Sequence, residues 1–569
     1  MLGFRRLPAL LVLAFFLSAC RGEPILSPSP RPPTAHPTTL PASPTTSPLP
    51  PPPERNFWWN QTDFYEVFVR SFYDANGDGN GDFEGLTAKL DDLNDNQIAT
   101  TNDLGVNGIW LMPIYPSPSY HGYDVTDYSS INPDYGTMED FKIFLDAAHQ
   151  RGIKVILDLP LNHTSSDHPW FQKALEMDPT YRDYYIWSDN DPGYQGPWGQ
   201  DPWHESPNGD YYYGVFWSGM PDLNYENPAV VEEMEKVIKF WLDLGVDGFR
   251  LDGARYIIEE GKNQADTQST HQFYKDLRGF VKGINPEALL LGEVWTDAFT
   301  TSTYTKKGDE LDLVFDFDLA NAYLSSARNG KAEKALNALK FSQKLFPKGG
   351  SASFLTNHDM DRVMSELGGD VEKAKNATIL LLTGPGVPFI YYGEEIGMEG
   401  KRGNEDTDIN RRLPMQWTGG KNAGFTTGTP WAQVHPSYEH NNFEGLNPLT
   451  DSLLSSYQDL IAIRNQKPGL RYGDTYLVDA DNPTVYSIIR STPDEQVMVL
   501  VNLSDQSVSD YSLKLDEGPL SGSYELSPIY GSGEFAGITA NPQGGFDAYQ
   551  PIPTLPANSR YIYTLQQQR

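Results

Sequence analysis

The 569-residue chain has a single cysteine, at position 20, which excludes an intrachain disulfide framework and any multi-cysteine metal site. It is also short of positive charge: 43 Lys and Arg stand against 76 Asp and Glu, a net charge of −33. Such a surface repels phosphate, so nucleic acid and anionic membrane surfaces are excluded as partners. Apolar residues make up 39 %, below the usual globular share, yet 12 % aromatics separate the chain from disordered sequences. Long apolar runs are missing except near the N-terminus. There Leu7 to Leu17 follows Arg5 and Arg6, a stretch too short for an ordinary spanning helix and shaped like an export signal. What the chain has in quantity is flat rings, with 32 Tyr and 12 Trp available for stacking.

The apolar N-terminal stretch ends in Leu17-Ser18-Ala19-Cys20, which resembles a bacterial lipobox. In that motif the cysteine is lipidated and becomes the new N-terminus. Residues 1–20 are therefore expected to be a lipoprotein signal, with Cys20 carrying the acyl chains. The protein would be extracytoplasmic, held at the bacterial cell envelope by the lipid alone. Residues 21–56 are dominated by Pro, Ser and Thr without apolar periodicity, which predicts a semi-extended spacer.

Beyond Phe57, short β-branched or aromatic runs alternate with helical stretches: Tyr65–Phe72, Gly108–Ile114, Lys154–Leu159, Gly248–Asp252, Leu289–Trp295, Leu313–Phe317, Ser353–Asn357 and Phe389–Gly393. Runs of this kind predict parallel strands buried on both faces. Val231, Met234, Ile238, Trp241 and Leu244 recur at helical spacing and predict one intervening helix. Eight such units predict an α/β fold of the (β/α)8 TIM-barrel type, formed by residues 57–163 and 226–471. An open doubly wound sheet is disfavoured by the lack of a phosphate-binding glycine turn. Residues 164–225, rich in Tyr, Trp, Pro and Gly, read as a loop-rich domain inserted after strand 3. Residues 472–569, with runs such as Val485–Ile489, Val497–Leu503 and Tyr561–Leu565, read as a C-terminal antiparallel β-sandwich.

Reacting groups of a TIM barrel lie at the C-terminal strand ends. Strand 3 ends in Asp158-Leu-Pro-Leu-Asn162-His163, strand 4 in Gly248-Phe-Arg250-Leu-Asp252, strand 5 in Gly292-Glu293-Val-Trp295 and strand 7 in Asn357-His358-Asp359. Three carboxylates, Asp252, Glu293 and Asp359, thus converge beside His163, His358 and Arg250. Converging carboxylates with aromatics, and no Ser or Cys nucleophile, suit glycoside hydrolysis; a pair about 5–5.5 Å apart gives retention through a covalent glycosyl intermediate. Arg250 leaves its strand on the same face as Asp252 and would hold it ionised, whereas Glu293 has no such neighbour in sequence and is the better proton donor.

These motifs, in this order from about Phe57 to the end, resemble the α-amylase family, glycoside hydrolase family thirteen. The resemblance implies Asp252 as nucleophile, Glu293 as acid/base and Asp359 as a third carboxylate that binds sugar hydroxyls. It implies that Arg250, His163 and His358 line the reacting subsite, with Asp158 structural. Tyr123 in His121-Gly-Tyr-Asp124 matches the ring beneath the reacting sugar. Met220-Pro-Asp-Leu-Asn224 and Arg412-Leu-Pro-Met-Gln-Trp417 resemble members intermediate between oligo-1,6-glucosidases and neopullulanases. Exo-acting relatives carry an Asp three residues before the stacking Tyr; here that position is Tyr120, a ring that could stack on a further glucose. Trp203, Tyr212 and Trp217 are candidate platforms in the inserted region.

The segment Asp74-Ala-Asn76-Gly-Asp78-Gly-Asn80-Gly-Asp82 alternates oxygen donors on a glycine-rich turn, which suits a hard cation such as Ca2+. The family has a calcium loop here, matched by Asp74, Asn76, Asp78 and Asp82. A second family calcium site is in doubt, because Arg255-Tyr256 stands where many members have Lys-His. The expected protein is a monomeric α-amylase acting inside starch, maltodextrin and maltooligosaccharide chains. The alternatives are an α-glucosidase, cyclomaltodextrinase, neopullulanase or transglycosylating relative, and a non-catalytic carbohydrate-binding or transport-accessory protein on the same fold.

Overall fold

Strands form on the apolar runs, and three of them stop directly at a carboxylate: Asp252, Glu293 and Asp316. β1 (Phe64–Val67), β2 (Gly108–Leu111), β3 (Lys154–Leu159), β4 (Gly248–Leu251), β5 (Leu289–Gly292), β6 (Leu313–Phe315), β7 (Ser351–Phe354) and β8 (Val387–Tyr391) form a closed barrel in chain order, every pairing parallel, with β8 returning to β1. This is the expected (β/α)8 barrel. The computed structural model describes residues 57–97, 102–403 and 408–568. The signal segment, Cys20 and the spacer lie outside the described residues.

Period-2 alternation divides each strand between an inner and an outer face. Phe64, Trp110, Ile156, Leu289, Leu291, Phe315, Phe354 and Phe389 fill the lumen. Phe64 and Phe389 stack with ring centroids 4.5 Å apart, and Phe315 packs edge-on to Phe354 and Phe389. Two residues beyond Phe64 and Ile156, the same inner face carries Glu66 and Asp158, and Asp158 pairs in register with Arg250. The lumen is thus an apolar floor under a charged layer at the C-terminal end.

Several predicted strands are shorter than expected. The run Tyr65–Phe72 is strand only to Val67, because the chain turns at Phe68 into a helical turn, Val69–Phe72. The run Leu289–Trp295 leaves the ladder after Gly292, which frees Glu293 to face the cleft. The predicted helix spans Pro228–Asp243, capped by the Asn227 side chain with Pro at its first turn. Its buried stripe is Val230, Met234, Val237, Ile238 and Trp241, so Val231 and Leu244 lie at the half-buried margin.

Residues 164–225 leave the barrel after β3 and return beside their starting point, where Leu223 N–H donates to the Asn162 carbonyl at 2.9 Å. Between lie two short helices and a three-stranded antiparallel sheet with Tyr211–Tyr213 at its centre. Trp203 and Tyr212, two of the candidate platforms, are buried inside this region and serve as packing. Trp217 is exposed.

The C-terminal region is antiparallel, with a six-stranded sheet against a three-stranded one. In its strand β9 (Val485–Ser491), Val485 and Ile489 pack into the core between the two sheets, while Tyr486 and Ile488 join the core of the barrel helices. Both faces being covered, all seven residues are buried. Arg490 ties the sheet to the barrel by donating to the carbonyls of Thr383 and Gly384 at 2.9 and 2.6 Å.

Candidate active site

Asp252 is the first residue past β4, and Gly253 follows it in the left-handed region at φ 50°. A Cβ at Gly253 would meet Phe216 Cζ at 2.8 Å, so both conformation and space require glycine. This turn aims the Gly253 N–H at Glu293 Oε2, 3.1 Å away. Asp252 and Glu293 are thereby brought to one rim. Their side chains are 13 % and 10 % exposed and that of Asp359 is 32 %, whereas Arg250 and His358 are fully enclosed. The three carboxylates face the cleft, and the cations stand behind them.

On the β3–β5 side a single cation serves three acids. Arg250 Nη1 donates to Asp252 Oδ1 at 2.6 Å and to both oxygens of Asp158 at 2.9 and 3.0 Å. Its Nη2 lies 3.0 Å from Glu293 Oε2. Glu293 has no cationic neighbour in sequence, but the barrel brings Arg250 to it. One cation does not offset burial, however. Burial, reinforced by the nearby charges of Asp252 and Asp359, pushes Glu293 up to about 7 despite Arg250. Asp158, also buried and close to Asp252, is pushed up to about 6. Glu293 therefore holds its proton near neutrality, as a general acid requires.

On the β1–β7 side cations match acids. His358 Nδ1 lies 2.5 Å from Glu66 Oε1, and its Nε2 lies 3.1 Å from Asp359 Oδ2. Arg412 Nη2 donates to Asp359 Oδ1 at 2.7 Å, and its Nε to the His358 carbonyl at 3.0 Å. Burial opposes charge on His358, but Asp359 and Glu66 outweigh it and push the imidazole up to about 10. Burial likewise works against Asp359, yet His358, Arg412 and Arg250 hold it well below the usual carboxylate range. Glu66 and the role of Arg412 were missed from the sequence. A lone Glu inside the apolar run Phe64–Val69 was the available signal for Glu66.

Tyr123 joins the two sides. Its hydroxyl lies 2.9 Å from Asp158 Oδ2 and 2.7 Å from His358 Nε2, and its ring lies within 17° of parallel to the imidazole. His163 is buried beside it, with Nε2 3.2 Å from the Tyr123 carbonyl, and burial lowers its proton affinity. Tyr120 stands at the margin, stacked on Trp431 at 5.5 Å and faced by Arg412.

The Asp74–Asp82 loop lies outside this constellation and braces it. Asp74 accepts from Gly77 N–H and Gly79 N–H, both at 2.7 Å, and from Thr426 Oγ1 at 2.5 Å. The Gly79 carbonyl accepts from Trp431 N–H, which seats the ring that backs Tyr120. Asn76 and Asp78 each accept a loop amide at 2.8 Å, and Asp82 caps the helix Phe83–Ala88. The candidate donors are all oxygen, as a hard cation requires. Among the described residues no three His, Cys, Asp or Glu converge into a metal-sized group.

A family model for the alpha amylase catalytic domain matches residues 66–473. Alpha-amylase 3 of Dictyoglomus thermophilum is 40 % identical over 459 residues, which is 79 % of this chain and 85 % of that protein. The oligo-1,6-glucosidase of Parageobacillus thermoglucosidasius is 34 % identical over 521 residues, 79 % of this chain and 91 % of that one. Among solved structures, the alpha-amylase from H. orenii aligns with a TM-score of 0.77 at 41 % identity, covering 89 % of this chain and 99 % of that chain.

Proposed function

Since the chain belongs to the α-amylase family of glycoside hydrolases, we propose that it is an α-amylase that cleaves internal α-1,4-glucosidic bonds of starch and maltooligosaccharides with retention. The observation that carries the reading is the unequal pair at the rim, with Glu293 pushed up to about 7 while Asp252 is hydrogen-bonded by Arg250. Asp252 attacks the anomeric carbon as the glycosidic oxygen leaves with the proton of Glu293. The ionised Glu293 then takes a proton from water, whose oxygen displaces Asp252 and returns the starting enzyme. Asp359, held by His358 and Arg412, accepts hydrogen bonds from sugar hydroxyls. Tyr123 supplies the ring under the reacting sugar.

Endo action is supported by Tyr120, a ring where exo-acting relatives grip the chain end with a carboxylate. It predicts a fast fall in starch viscosity and iodine colour at low reducing-sugar release. An exo-acting α-glucosidase is the second reading, favoured by the likeness to oligo-1,6-glucosidases. Glucose accumulating from the first minutes while viscosity holds would establish it.

Calcium belongs to the same proposal. Asp74, Asn76, Asp78 and Asp82 would hold the ion, which would brace the segment carrying Trp431 and supply no chemistry to the reaction. Binding to the folded chain alone raises Tm by linkage, so a chelator should lower Tm of metal-loaded protein. The envelope location rests on Cys20: Cys20→Ser should release the protein to the medium or leave its precursor unprocessed, and unchanged membrane partition would reject the lipid anchor.

A further inference from the structure

We propose that Glu66 is a positioning residue for this reaction, acting from inside the barrel to keep His358 doubly protonated, so that the imidazolium presents both an N–H and a positive charge to Asp359. The inference rests on the reading of Asp359 as a sugar-binding carboxylate.

Counting donors and acceptors leads to it. Glu66 lies on the inner face at the end of β1, buried, with Oε1 at Nδ1 of His358. A carboxylate can only accept there, so Nδ1 must carry a hydrogen. On the opposite edge of the ring Nε2 meets Asp359 Oδ2, again an acceptor, and the Tyr123 hydroxyl. The single hydrogen of Tyr123 has its own acceptor in Asp158 Oδ2, so the tyrosine oxygen is left to receive. Nε2 must therefore carry a hydrogen too. Both nitrogens donate at once only in the imidazolium.

The surroundings agree. The groups facing the ring are Glu66 from β1, Trp110 and Tyr123 from β2 and its loop, Asp158 from β3, and Asp359 beside it, with Arg412 on its carbonyl. The Trp110 indole meets the ring edge-on and shuts it from water. Of the two acids that sustain the charge, Asp359 is the one committed to substrate. When Asp359 turns to bind sugar hydroxyls, Glu66 remains as the carboxylate that holds the proton on the ring.

The test uses the full chain and a 4-nitrophenyl maltooligoside, whose leaving group needs no proton from Glu293. Glu66→Gln keeps an oxygen that can accept from Nδ1–H but removes the charge. It should leave kcat/KM within about tenfold of wild type at pH 5.5 and move the alkaline limb about two pH units lower, so that the deficit grows by roughly another tenfold at pH 9. A uniform loss at every pH, or an unmoved limb, would overturn the proposal in favour of a purely structural Glu66. Histidine ring NMR of the wild type, assigned with His358→Gln, gives a second measurement that does not depend on how the Glu66 variant folds. The His358 ring should keep its imidazolium shifts at pH 8.5, and a neutral ring there would overturn the proposal. A wild type without activity on any α-glucoside would remove the hydrolase reading instead, while the NMR would still decide the charge of His358.

Discussion

The two sides of the cleft are built from the same materials and behave oppositely. On the β1–β7 side, two cations, His358 and Arg412, stand against Glu66 and Asp359, and Asp359 stays ionised far into acid. On the β3–β5 side, Arg250 alone stands against Asp158, Asp252 and Glu293, and two of these acids are pushed up to about 6 and 7. Asp359 is also the more exposed, at 32 % against 10 % for Glu293, so cation supply and enclosure together decide which carboxyl keeps a proton. A retaining glycosidase needs both kinds: acids that stay charged around the sugar and one that can donate.

Removing the proposed nucleophile from the cation-poor side should have the largest effect. Asp252→Asn is expected to lower kcat by several orders of magnitude while starch binding survives. A variant keeping a tenth of wild-type activity would move that role elsewhere. Glu293→Gln comes next, with a loss on starch of about 10²–10⁴-fold and far less on substrates with activated leaving groups. Because Glu293 must carry its proton to donate, wild-type kcat/KM on starch should fall as pH rises through about 7. Equal losses on both substrate types would argue against the acid role.

The link between the sides offers a smaller and sharper test. Tyr123→Phe deletes the hydroxyl shared by Asp158 and His358, hydrogen bonds to charged groups worth about 1.5–3 kcal/mol, or roughly ten- to a hundredfold in kcat/KM. A change below twofold on maltooligosaccharides would mean that the two sides work independently.

The smallest expected effect is on stability. Folding raises the proton affinity of Glu293, so between the unfolded value and about 7 the folded chain holds a proton that the unfolded chain has released. Wild-type stability therefore falls through that window as pH rises. Gln carries no such proton, so Tm of Glu293→Gln should exceed that of wild type at pH 8 by on the order of a few °C and match it near pH 4. Thermal melts at both pH values would measure the difference, and a gap of the same size at both would assign it to packing.

Much of the site was legible because polar residues follow the apolar runs closely in the chain. Asp252 and Glu293 come directly after their strands, and Asp359 closes the polar run Thr356-Asn357-His358-Asp359. Glu66 was harder to read because it precedes the boundary, within a run that looks like any buried strand. Arg412 was quoted only as part of a motif, since it stands 53 residues from the acid it holds. Trp203 and Tyr212 could not be assigned from the sequence for a related reason: a ring suited to sugar is equally suited to a small core, and composition does not separate the two.

By itself the sequence determined the eight alternating units and the identities of the strand-end carboxylates, because apolar patterning and the polar residues that follow it are local properties of the chain. Only the tertiary structure decided which cation serves which acid. Arg250 reaches Glu293 across 43 positions and Glu66 reaches His358 across 292, through the closure of the barrel. Proton affinity depends on distance through space and on exclusion of water, and neither is a property of neighbours along the chain.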